Sequence, residues 1–313
     1  MNAELDYKSF TLKEVRKGVY AALIKKGQGA WGNAGIIDLG DELLVFDTFA
    51  SPQAAQELRI AAETLTGKQV RYAINSHVHF DHTFGNQIFR DAHIISSTTT
   101  RNELSKINLM ELINQFGPYI AQLEEQAEKM SDPIKKQEFF EEDISEKIRL
   151  KDNLHHIDLT LPSITFNRKL SLHGTKRTAE LISFGPGHSP DDTILYLPED
   201  YVLFAGDLIS VNFHPLLAPN GDYHNWQKAL MTIADLDIET IVPGHGNVSD
   251  REAIHSMISY ISEIVDLVIT SGEGGSSLEE LLKKPILEAF NDWHGSYVYE
   301  WNLKTLFNLN KKN

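Results

Sequence analysis

Short runs of apolar and β-branched residues fill the first third of the chain and return past its middle, while longer amphipathic stretches lie between and after them. Residues 19–24, 36–39 and 43–48 have strand length and composition, and Gly27, Gly29, Gly32, Gly35 and Gly40 punctuate them, which predicts meandering strands. Ser51-Pro52 supplies an N-cap and a first helical residue. Ala54, Leu58, Ala61 and Leu65 follow at near-helical spacing, so a helix is expected over one sheet face. Residues 70–74 return as a strand. A polar, His-rich segment at 75–83 breaks that strand before regular structure resumes at 84–89.

At Thr98 the character changes. Residues 98–150 are charged and amphipathic with no β-branched run, and Asp132-Pro133 is a helix restart, so this stretch is expected to be a helical insertion. The strand pattern resumes at 164–166, 170–172, 180–184, 193–197 and 202–204. From Ser249 the chain turns helical again, with capping boxes expected at Ser249/Glu252 and Ser277/Glu280 and a break at 272–275. The expected organisation is one domain over 1–313, with an insertion at about 98–150 and a C-terminal helical extension at about 249–313. Both halves run strands, then a His/Asp loop, then helix, a faint sign of duplication.

Composition narrows the chemistry. The 313 residues, 42% of them hydrophobic, are enough for one large domain or two ordinary ones. Lys and Arg number 29 against 44 Asp and Glu, a net charge of −15, which repels polyanions. Residues 101–150 carry seven basic and eleven acidic side chains, so the insertion is no clamp for nucleic acid. With no cysteine, disulfides, thiolate metal sites and cysteine nucleophiles are excluded together, leaving nitrogen and oxygen as metal donors. Residues 1–10 lack the basic and apolar regions of a secretory signal. No run approaches the roughly 18 apolar residues of a membrane span. A soluble, cytoplasmic protein without membrane or nucleic-acid partners is expected, acting on a small molecule.

Between His77 and His82 three imidazoles and one carboxylate, that of Asp81, crowd into six positions. Ordinary structure has little use for such crowding. In an extended chain His77, His79 and Asp81 would project to one side and His82 to the other, so two ions could share the segment. Three further loops each offer one ligand-type residue beside glycine: His188 in Gly-Pro-Gly-His, Asp207 in Ala-Gly-Asp, and His245 in Pro-Gly-His-Gly. Each alone reads as a surface turn. Together, five His and two Asp give each of two divalent ions three or four donors and leave a position for water, as a catalytic site requires.

The order of these residues, with the phrases Gly187-His188-Ser189-Pro190, Phe204-Ala205-Gly206-Asp207 and Pro243-Gly244-His245-Gly246, resembles the metallo-β-lactamase superfamily over residues 19–250 apart from the insertion. The resemblance implies an α+β fold, a four-layer αββα sandwich of two mixed sheets with the metals along one rim. It implies that His77, His79 and His188 hold a first metal, that Asp81, His82 and His245 hold a second, and that Asp207 bridges them. The cofactors would be two Zn2+, with Fe or Mn also suited to His and Asp ligands. Asp207 stands where one lactamase branch places cysteine, while glyoxalase II-like thioesterases and lactonases keep Asp. Flavodiiron oxidoreductases carry Glu where His79 stands, and append a flavin domain.

The activity so implied is hydrolysis of a small ester, thioester, lactone or amide by a hydroxide held between two zinc ions, with Asp81 as the catalytic proton carrier. The alternatives are an iron-dependent oxidoreductase on the same fold and authentic β-lactam hydrolysis. Residues 208–225 are expected to overhang the metals, where His214 or Tyr223 would bind the substrate oxyanion; a loop histidine and a helix-start tyrosine are the plainer readings. Trp31 is a candidate for the pocket wall. The Gly27-Gln28-Gly29 segment suggests a phosphate cradle, although a β-turn explains it better. Trp226, Leu230 and Ile233 read as core. Trp293, Tyr297, Trp301 and Phe307 offer a pocket wall or a homodimer face, with core packing the commoner outcome.

Overall fold

The computed structural model describes residues 4–311, so residues 1–3 of the N-terminal segment and 312–313 of the C-terminal extension lie outside the described residues. The first sheet takes its strands in sequence order: β1 (Glu4–Asp6), β2 (Phe10–Arg16), β3 (Val19–Ile24), β4 (Ala34–Asp38), β5 (Leu43–Phe46), β6 (Val70–Ile74), β7 (His93–Ser97) and β8 (Ile164–Phe166). It is antiparallel up to β5 and parallel from β5 to β8. The second sheet comprises β9 (Lys169–His173), β10 (Thr178–Ser183), β11 (Thr193–Leu197), β12 (Val202–Phe204) and β13 (Thr240–Val242), with only β12 and β13 parallel.

Helix α1 (Pro52–Thr66) starts where Ser51 Oγ accepts the Ala54 N–H and stops at Gly67, whose φ of 67° suits glycine. A single turn, α2 (Phe80–Thr83), follows β6. The insertion between β7 and β8 contains α3 (Thr98–Leu104), α4 (Leu109–Lys129), α5 (Pro133–Phe139), a π-helical stretch at Phe140–Ile144, and α6 (Ser145–Asn153). Asp132 caps α5 as its Asp-Pro sequence predicts. Then come α7 (Tyr223–Ala234), α8 (Glu252–Glu273), α9 (Leu278–Leu282) and α10 (Ser296–Asn310).

Alternation along the strands sets the layers. Ile36 and Val45 point to α1, while their neighbours Ile37, Leu44 and Phe46 pack against Leu181, Leu195 and Phe204 of the second sheet. On that sheet's outer side, Ile194, Leu203 and Ile241 meet Trp226 and Leu230 of α7 and Met257 and Ile261 of α8. The result is the expected αββα order. By length and composition α8 could cross a membrane, but Ile254, Met257, Ile261, Ile264 and Val268 recur at helical spacing and are buried in this outer core.

Two expectations are corrected. Strand β2, missed because Thr11, Lys13 and Glu14 interrupt its apolar residues, buries Phe10 and Leu12 toward α1 and, at a register shift between Glu14 and Arg16, Val15 between the sheets. Helix α8 does not begin with a capping box at Ser249: that residue's backbone is bonded to Ile241 in a β-bridge, and Asp250 Oδ1 takes the Glu252 N–H instead. The box at Ser277/Glu280 does form.

At the edge where β3 and β10 begin, the buried guanidinium of Arg177 ties the two sheets. It donates to Lys17 O at 2.8 Å and Asp38 O at 2.5 Å in the first sheet's turns, and to Asp200 at 2.6 Å beside the second. Between the sheets, Gly35 admits the Phe204 ring: a Cβ at 35 would stand 2.3 Å from it. Gly35→Ala should therefore destabilise the fold by about 3 kcal/mol through overpacking, read as a lowered urea midpoint, and Phe204→Leu in the same background should restore part of the loss.

Candidate metal centre

Strands β5, β6, β10, β12 and β13 all end at the opposite edge, and a polar loop follows each. Loops after parallel or central strands converge at such an edge, which is why residues far apart in sequence meet there. His77 and His79 follow β6, His188 follows β10, Asp207 follows β12 and His245 follows β13. The ligand atoms of His77, His79, His188 and Asp207 lie within 4.8 Å of one another, and so do those of Asp81, His82, Asp207 and His245. All seven residues singled out from the sequence come together, and Asp207 belongs to both groups.

The division of the His77–His82 segment differs from the extended-chain expectation. The backbone enters the helical turn of α2 at Phe80, so the side-chain period changes there from two to nearly four. Asp81 and His82 consequently fall in one group, and His77 with His79 in the other.

Hydrogen bonds fix which ring nitrogens face inward. His188 Nδ1 bonds Leu216 O at 2.9 Å, and Ser76 Oγ lies 2.8 Å from His77 Nδ1, leaving both Nε2 atoms toward the cluster. His82 Nδ1 lies 2.8 Å from Asp47 Oδ2. The same Asp47 carboxylate accepts the Ser76 N–H at 2.7 Å and the Ser76 hydroxyl at 2.9 Å. Asp47 is the residue that sequence reasoning missed, having been counted into the strand at 43–48. The one available signal was a carboxylate at the end of an otherwise apolar run. Its φ of 62°, with 66° at Trp31 and 67° at Phe49, marks backbone held in the left-handed region around the site.

The donor set suits divalent cations. His82 Nε2 and Asp207 Oδ1 are buried 3.2 Å apart, and neither has a hydrogen-bond partner of good geometry. Such orphaned atoms are costly unless a cation completes them. Two glycines make the room: a Cβ at Gly244 would stand 1.9 Å from Asp207 Oδ1, and one at Gly32 2.6 Å from the His82 ring.

Without an ion between them, the groups titrate in opposite directions. Burial raises the carboxyl groups of Asp81 and Asp207, but His82 and His245 overcome it and hold both well below the usual carboxylate range. Burial lowers the imidazoles, yet Asp81, Asp207 and Asp47 keep His82 well above its ordinary value, and Asp207 and Asp81 lift His245 to about 10. In the other group burial wins: His77 is pushed well below its ordinary value, and His79, depressed also by His188, falls to about 4.

A cavity of about 300 Å³ opens over the cluster. The insertion supplies Phe116, Tyr119 and Lys147 to its wall, the C-terminal helix supplies Tyr297 and Trp301, and Trp31 lies among them. His214 also lines the cavity, fully buried, with Nδ1 3.2 Å from the Tyr260 hydroxyl. Tyr223 does not: it opens α7 and lines a separate small cleft with Gly187 and Trp226. Trp226, Leu230, Ile233 and Phe307 are core, and Trp293 packs half-buried against it. The Gly27 and Gly29 amides cradle the carboxylate of Glu146 from the insertion, so that segment anchors a helix and no phosphate role is assigned to it.

A family model described as the metallo-beta-lactamase superfamily matches residues 32–245. Among solved structures, a metallo-beta-lactamase from Pontibacter korlensis superposes with a TM-score of 0.54 at 15% identity, covering 84% of this chain and 99% of that one. The metallo-beta-lactamase FIM-1 from Pseudomonas aeruginosa, in its mono-zinc form, gives 0.57 at 17% identity over 82% and 96%. At these identities the likeness shows the fold. A Beta-lactamase-like protein 2 homolog from Caenorhabditis elegans is 38% identical over 66 residues, a match spanning 21% of this chain and 21% of that relative.

Two outcomes follow for metal binding. The carboxylates around His82 and His245 favour their protonated forms, which must give up protons to act as ligands, whereas burial favours the neutral forms of His77 and His79. Calorimetric titration with Zn2+ between about pH 6 and 9 should resolve one binding event whose affinity climbs steeply with pH and one that depends on pH less. Asp47→Asn should weaken the steeply pH-dependent event about 10–100-fold and spare the other, because the amide no longer fixes His82 as a carboxylate does.

Proposed function

Because the chain belongs to the metallo-beta-lactamase superfamily, we propose that it is a dinuclear zinc hydrolase that cleaves a small ester, thioester, lactone or amide. The observation that carries this reading is Asp207, whose carboxylate is shared by two buried donor groups at the floor of one cavity. His77, His79 and His188 would hold one ion, Asp81, His82 and His245 the other, and Asp207 both. Bound there, the ions would supply a Lewis acid for the scissile carbonyl and bring the pKa of a water to about neutrality.

The protein's own residues do the rest. Asp81 lines the cavity, with Oδ2 3.2 Å from His82 Nε2 and 3.4 Å from His245 Nε2, so its position is fixed from two sides. From there it accepts a proton from the attacking water and returns it to the leaving group. His214 in the cavity wall is the candidate to bind the substrate oxygen, since Tyr223 lies elsewhere. The aromatic wall favours a small organic molecule over a polyanion, in keeping with the net charge of −15.

Purified protein should contain about two zinc per chain and hydrolyse generic esters, thioesters or lactones. Asp81→Asn should lower kcat by about 10²–10⁴-fold while the imidazoles retain zinc. Iron as the stoichiometric metal, with redox activity and no ester turnover, would sink the proposal, since His and Asp ligands also accept iron or manganese.

A further inference from the structure

One ion pair stands in the cavity wall apart from the metal ligands. Asp143 lies in the π-helical stretch of the insertion and Lys147 one turn later in α6, and the two are bonded side chain to side chain. Both are nearly buried, and both line the cavity. Lys147 Nζ also sits over the Trp31 ring, 4.7 Å from its centroid, with Tyr119 and Trp301 at 5.9 and 5.8 Å. A buried pair of this kind is commonly no more stable than two apolar residues of the same shape, so stability alone does not account for it beside the rings of Trp31, Tyr119 and Trp301.

The pair is held firmly. Glu146, beside Lys147, is locked into the amides of Gly27 and Gly29, and π-helical turns recur where a side chain must be placed for function. An ammonium has three N–H donors and no acceptor. Asp143 is the single hydrogen-bond acceptor found for Lys147 among the described residues, and the remaining donors face rings and cavity. Asp143 already neutralises the charge, so a second anion here would meet a carboxylate at close range. An uncharged oxygen at the same place is repelled far less.

Resting on the proposed hydrolase reading, we propose that Lys147 is a specificity-determining residue, and that the substrate has an apolar or aromatic body carrying a neutral hydrogen-bond acceptor, such as a carbonyl oxygen, away from the scissile bond. The rings of Trp31, Tyr119 and Trp301 take the body, and Lys147 donates to the oxygen. The Lys147–Asp143 pair then acts as a polar handle of zero net charge.

Binding, not turnover, tests this. Metal-depleted protein is titrated, by tryptophan fluorescence, with 4-phenyl-2-butanone, n-butylbenzene and 3-phenylpropionate, which share a body and differ in the end group. The double variant Lys147→Met/Asp143→Asn removes both charges and leaves none unpaired. It should lose at least about tenfold in affinity for the ketone while its affinity for the hydrocarbon holds. Equal losses for both, no loss for either, or a Lys147-dependent preference for the carboxylate would each overturn the proposal. A crystal structure of the unaltered protein with the ketone provides a check that no variant's folding can cloud: the oxygen is expected within hydrogen-bond distance of Lys147 Nζ, and its placement elsewhere refutes the assignment. Failure of hydrolysis with zinc restored would count against the hydrolase reading alone, since the ketone comparison involves no turnover.

Discussion

The carboxylate of Asp207 and the missing side chain of Gly244 compete for one volume: a Cβ at 244 would stand 1.9 Å from Oδ1. That exclusion is possible because β12 and β13 run parallel and side by side, so the loops leaving them are neighbours, with the Gly244 N–H bonded to Gly206 O at 2.8 Å. Strand pairing thus fixes where the shared carboxylate lies relative to His245. A slip of one residue would turn either side chain away from the rim. The two donor groups, and the cavity above them, inherit their geometry from this pairing.

Around that point the fold makes a dense set of ionisable groups tolerable. Outward-facing ring nitrogens are met by a backbone carbonyl, a hydroxyl or a carboxylate, as by Leu216 for His188, Ser76 for His77 and Asp47 for His82. Asp47 is itself buried and pushed up in pKa by that burial, with His82 and Ser76 opposing the shift. Its stability therefore depends on the histidine it orients, and the two residues are best regarded as one unit.

Much of this was legible in the sequence, for reasons that differ by residue. His77 to His82 stand so close together that their spacing announces them, and His188, Asp207 and His245 are recognisable because each sits beside glycine in a loop. Strands β6, β11 and β12 were bounded correctly, since β-branched and large apolar residues fill them. The rest was hidden by context. Asp47 looks like one more strand residue until the backbone at 47 turns left-handed. Ser249 has the spacing of a cap, but its backbone was already spent on a bridge to Ile241. The resemblance pairs Asp81 with His82 where strand alternation sets them apart, and one helical turn at Phe80 is what brings them into one group. Tyr223 and His214 lie in a segment with no periodicity, and only the packed structure separates them.

Arg177 works at the far edge, binding the turns of one sheet from the other. That tie holds the two sheets together at the edge away from the cluster. At the site's own edge the insertion between β7 and β8 forms part of the cavity wall and is joined to the body at Gly27, Gly29 and Trp31. The consequence is a division of labour: the strand ends carry the seven ligand-type residues, and a separate stretch of chain shapes the wall above them.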